Sequence, residues 1–71
     1  MKGKINFKKE IYTVEILNRA VADYKSICPV IVKNEGDYYK CTFLAESVYL
    51  AQIQDEFCNY LIELMNEQVN A

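Results

Sequence analysis

The chain has no histidine, no tryptophan, one proline and two glycines. It also has no apolar run near the ~20 residues that a bilayer-spanning helix needs. Each scarcity excludes something. Without histidine, the usual general base near neutral pH and the commonest metal ligand are both missing. Two glycines cannot build a GxGxxG or P-loop phosphate cradle. Neither a transmembrane helix nor a signal peptide is expected, and no membrane partner. The three cysteines, Cys28, Cys41 and Cys58, are odd in number and far apart, without the CxxC pairing of a zinc site. They are expected to be free thiols in a reducing cytoplasm, with one disulfide left open by spacing alone.

The remaining candidates for catalysis are weak. Cys58 would need a base beside it to act as a nucleophile, and none is identifiable; all three cysteines read as small buried hydrophobes. Asp55 and Glu56 are adjacent, and neighbours on a helix point about 100° apart, so they cannot share one substrate atom. They read as a solvated helix start. The sequence therefore predicts no catalytic residue, no cofactor and no metal; the chain is not expected to be an enzyme.

Charge narrows the partner. A net charge of −2 and a pI of 5.0 argue against nucleic acid, whose binders neutralise phosphates. The basic cluster Lys2, Lys4, Lys8 and Lys9 reads as a solvated N-terminal arm.

What is present is a globular composition, 52% hydrophobic and 25% charged, over 71 residues. That predicts one small domain spanning 1–71. A chain of this size buries only about 60% of the surface its unfolded form exposes, so its core is marginal. Lys4 to Phe7 alternates and reads as a short strand, followed by a connection from Lys8 to Tyr12. Thr13 is placed to cap a helix with Glu15 in its first turn. Val14, Leu17, Val21 and Tyr24 form that helix's stripe, widened by Ile16 and Ala20, and Cys28-Pro29 should stop it. Val30-Ile31-Val32 is β-branched throughout and reads as a strand. The turn Asn34-Glu35-Gly36-Asp37 joins it to a second, Tyr38 to Ala45, in a hairpin.

After Glu46-Ser47 the last helix should run from near Tyr49 to about Glu67. The order β-α-β-β-α predicts a two-layer α+β domain, a three-stranded sheet with two helices on one face. Were the first two strands neighbours, they would be parallel with a right-handed crossover.

The last helix is apolar over too much of its circumference. With Phe57 as origin, Leu50, Ile53, Leu61 and Leu64 lie within about 40° of it. Ala51, Cys58, Ile62 and Met65 form a second row, and Tyr60 stands on the opposite shoulder. The apolar arc is about 200°, roughly twice what a surface helix needs. Either the second row packs against the first helix, or Tyr60, Ile62 and Met65 meet a partner protein or a second copy. The hairpin offers another surface. If Tyr39, Cys41 and Phe43 face the core, then Tyr38, Lys40 and Thr42, with Ile31 and Lys33, lie on an uncovered sheet face. A basic, aromatic sheet face stacks bases in some RNA binders, a weaker reading for an acidic chain. An exposed edge can also accept a peptide as an added strand. The candidate interaction residues are thus Tyr60, Ile62, Met65, Tyr38 and Lys40.

The stretches Ile11-Tyr12, Ala20-Val21-Ala22-Asp23-Tyr24, Val30-Ile31-Val32 with the Gly36 turn, and Glu56-Phe57-Cys58-Asn59-Tyr60-Leu61 together resemble HxsD. HxsD is the small accessory protein of the His-Xaa-Ser peptide-maturation system, and the similarity covers roughly Ile11 to Leu64. The resemblance implies an adaptor beside radical SAM maturases and their precursor peptide, and carries no catalytic residue. A protein- or peptide-binding module is therefore expected, with a structural homodimer as the alternative.

Overall fold

A computed structural model describes residues 2–45 and 48–69. The order is β1 (Lys2–Lys8), α1 (Val14–Tyr24), β2 (Val30–Glu35), β3 (Tyr38–Leu44) and α2 (Leu50–Val69). The α+β architecture is the expected one, a three-stranded sheet with both helices on one face. Glu46 and Ser47, expected to lead into α2, lie outside the described residues.

The sheet order is β1-β3-β2, and β3 is antiparallel to both neighbours. The first two strands are therefore parallel but do not pair. They form a split β-α-β unit with the third strand inserted between them. The middle place goes to the strand whose inward residues are most fully buried: Cys41 and Phe43 are completely enclosed. The hairpin that puts β3 there needs only Gly36 and Asp37 between paired Glu35 and Tyr38. Gly36 takes φ +59° while no other described residue has positive φ, the pattern of a tight hairpin with glycine first.

The lysines read as an N-terminal arm belong to a strand. β1 starts before Lys4 because Gly3 still pairs with Phe43 and Lys2 with Leu44. Gly3 also sits under α2, where a Cβ would run into Gln54 and Leu50. Its lack of a side chain lets the helix lie down on the strand.

Thr13 caps α1, its hydroxyl accepting from the Ile16 N–H at 3.3 Å. The helix ends at Tyr24, before Cys28-Pro29, because the Ile27 and Cys28 N–H groups both turn back to the Tyr24 carbonyl at 2.8 Å. Its buried stripe is rotated from the expected one: Ile16, Leu17 and Ala20 are buried, whereas Val14 is exposed. The helices run antiparallel, with Asp23 beside Tyr60 and Arg19 beside Glu67. α2 therefore covers the Ile16–Ala20 side and leaves Val14 outside.

Phe57 is the centre of the core. Its ring packs edge-on to Tyr24 at 5.3 Å and Phe43 at 5.1 Å, and lies 6.2 Å from Phe7. One side chain thus ties both helices to the two strands β1 and β3. Tyr12, expected only as connection, closes the cluster edge-on to Phe7 at 5.0 Å.

Candidate interaction surface

The five residues singled out from the sequence do not form one surface. Tyr38 and Lys40 lie on the face of the sheet opposite the helices, whereas Tyr60, Ile62 and Met65 lie on α2. Within α2 they divide again. Tyr60 donates a hydrogen bond to Asp23 and its ring leans on Tyr24 at 5.7 Å, so it is engaged with α1. That bond, with the nearby carboxylates of Asp23 and Glu67, raises the phenol's pKa from its ordinary value. Met65 is half-buried against the core, and only Ile62 stands out, at 48% exposure.

The second apolar row of α2 does not pack against α1. Cys58 and Tyr60, two positions apart, point about 160° from each other on a helix, and Tyr60 is the one that faces α1. The row turns the other way, toward the side where Gln54 overhangs Gly3 of β1. Sequence periodicity gives the width of a helix's apolar arc but not which neighbour covers each part of it.

The three thiols are free. Burial raises the pKa of each, to about 11 for Cys41, and Asp55 adds to the effect at Cys58. None has the cationic neighbour that makes a reactive thiolate. Among the described residues no group of three or more cysteine, aspartate or glutamate side chains could hold a metal ion, and no helix is long and apolar enough to cross a membrane.

The open sheet face carries what net charge conceals. The register sets Lys8, Tyr38 and Glu35 in one row, Asn6, Lys40 and Lys33 in the next, and Lys4, Thr42 and Ile31 in a third. Four lysines thus share this face with one glutamate, which Lys40 reaches at 3.5 Å. Ile31 is 50% exposed among them and Tyr38 39%. The helical side is the reverse. Glu15, Asp23, Asp55, Glu56, Glu63 and Glu67 are all exposed there, and α2 has no basic residue. Opposite charges on two faces cancel in the sum, so the total of −2 hides a basic sheet and an acidic back.

Both sheet edges lack a strand partner among the described residues. Their accessibility differs. α1 lies against β2, whose entry is fixed by the Pro29 carbonyl accepting from Leu44 N–H at 2.9 Å. β1 is seven residues long, contains no proline, and has Tyr12 and the Leu50–Phe57 part of α2 above its inner side.

No family model, curated protein or solved structure matches this chain.

Proposed function

We propose that the chain is a non-catalytic binding module that holds a segment of another protein against its uncovered sheet. One observation carries this reading: the face opposite the helices combines exposed Ile31 and Tyr38 with four lysines on a regularly paired sheet. Exposed Ile31 and Tyr38 give that face apolar anchors within a charged surround, the make-up of a partner-binding surface. Following the resemblance to HxsD, the partner is a precursor peptide or the radical SAM enzyme that modifies it, in a reducing cytoplasm.

Selection of a random peptide display library against the folded protein tests the reading. Enriched peptides should lose binding to a sheet variant, Ile31→Asp or Lys4→Glu/Lys8→Glu, with its melt unchanged, and keep it for Glu15→Lys on the helical side. A library that enriches nothing, or only peptides indifferent both to Ile31 and to Lys4 and Lys8, contradicts it.

Exposed Ile62 supports a second reading, a homodimer in which two copies meet across α2. Ile62→Glu is the clean probe, because half-buried Met65 carries monomer stability as well. Loss of a wild-type dimer in sedimentation, at unchanged monomer stability, supports the homodimer; a wild type that stays monomeric removes it.

A further inference from the structure

From the backbone pattern of β1 and the charges beside it, we infer that this edge takes up an extended acidic segment, one alternating acidic and apolar residues, as a fourth strand antiparallel to β1. This rests on the binding-module reading and specifies its site and ligand.

The free hydrogen-bonding groups follow from register. The Lys9 N–H donates to the Asp37 carbonyl at 3.0 Å, and continuing the β1–β3 register opposes these two residues. In an antiparallel ladder residues alternate between bonding the partner strand and pointing away from it. Gly3, Ile5 and Phe7 therefore bond β3, while Lys4 and Asn6 direct both N–H and carbonyl outward. The bond from Leu44 N–H to Pro29 gives the same alternation in β3 from its other side. The open run ends at the Lys8 N–H, since the Lys8 carbonyl already accepts from Ile11 and Tyr12 at 3.0 Å. No backbone group among the described residues pairs with Lys4 or Asn6 on this side.

Side chains define the ligand. Lys4, Asn6 and Lys8 project onto the open face, so residues of an added strand directly opposite them lie on that face beside two exposed ammonium groups. Acidic residues fit there. The intervening residues turn inward beside half-buried Ile5, beneath the Ala51–Cys58 row of α2, and apolar residues fit there. This supplies a cover for the half of the wide stripe that α1 leaves bare. Edge lysines oppose pairing with a second β1, where like charges meet, but not pairing with an acidic strand. Nucleic acid is the poorer match to the same charges. Sheets that bind it stack successive bases on several aromatics, and the three open-face rows hold one, Tyr38.

The test uses a glutamate–valine alternating peptide of about eight residues, long enough to cover a strand of this length. Titration at low salt should show binding that weakens as salt rises and by about tenfold or more in Lys4→Glu/Lys8→Glu. Two modifications separate edge pairing from surface charge. Asn6→Pro removes an outward N–H and no β1–β3 bond, so it should fold and lose the peptide; Ile5→Pro, which breaks the ladder, should lose the fold. N-methylation of the glutamates should abolish binding, because in antiparallel pairing their N–H groups bond β1, while N-methylation of the valines should be tolerated. Binding indifferent to Asn6→Pro and to glutamate methylation overturns the edge site but leaves the binding module standing. No binding of this peptide, while display-selected peptides bind elsewhere on the sheet, overturns the inference alone. Tighter binding of an oligouridylate, or wild-type self-association abolished by Asn6→Pro, also overturns it.

Discussion

The two faces of the same three strands obey different rules. Toward the helices, Phe7, Val30, Cys41 and Phe43 are buried, each touching an aromatic or aliphatic neighbour. Away from them, alternate residues of the same strands are lysine, threonine, asparagine, one glutamate, one isoleucine, one leucine and one tyrosine. A strand's period of two lets one sequence write both faces at once. The inner face carries stability, so the outer one is free to carry recognition. Substitutions should separate sharply by face.

The largest effect is expected at Phe57. Phe→Ala in a core costs about 3–5 kcal/mol, against a total of roughly 4–10 kcal/mol for a chain this long. Phe57 contacts both helices and two strands, so Phe57→Ala should lose most of its folded signal in circular dichroism at room temperature. A melt within a few degrees of wild type would mean that the core is centred elsewhere.

Alkali should sharpen the contrast less severely. Burial pushes the Cys41 thiol up to about 11 from 9.0, so the folded chain holds that proton more tightly than the unfolded one. The associated stability is complete below about pH 9 and is lost as pH rises through about 11. Denaturant melts across this window should fall more steeply for wild type than for Cys41→Val. Equal slopes would place the thiol in contact with solvent.

Thr13→Ala should cost about 1 kcal/mol, since it removes the acceptor for the Ile16 N–H. At the small end, Ile31→Ser and Lys33→Gln on the outer face should each change stability by no more than about 0.5 kcal/mol in denaturant melts. An outer-face variant as damaging as the Thr13 one would erase the division between the faces.

Much of this was legible from residue order. Alternation in Tyr38 to Phe43 assigned the two faces correctly, and Thr13 and Gly36 marked a cap and a turn through local chemistry alone. Other features depend on tertiary placement. The rotation of α1's stripe toward Ile16 and Ala20 follows from where α2 lies, which no local pattern encodes. The second row of α2 was visible as a width, but its direction away from α1 needed the Tyr60–Asp23 contact. Strand order was hidden for the same reason: β1 reaches past its neighbour in sequence to pair with β3. The basic sheet face was half seen: Lys33 and Lys40 were expected on it, while Lys4 and Lys8 of β1 were read as part of a solvated arm or a short strand. Lys4, Lys8, Lys33 and Lys40 are scattered along the chain and meet only through the register.

The claim that β1 is an open edge is tested most directly by amide hydrogen exchange in the free protein, residue by residue along that strand. Ile5 and Phe7, whose N–H groups bond β3, should exchange slowly, while Lys4 and Asn6 between them exchange fast, a sawtooth with the period of the strand. Addition of the glutamate–valine peptide should slow Lys4 and Asn6 and leave Ile5 and Phe7 where they were. Uniform protection along β1 without peptide would contradict the account, because it would mean that the edge is already paired.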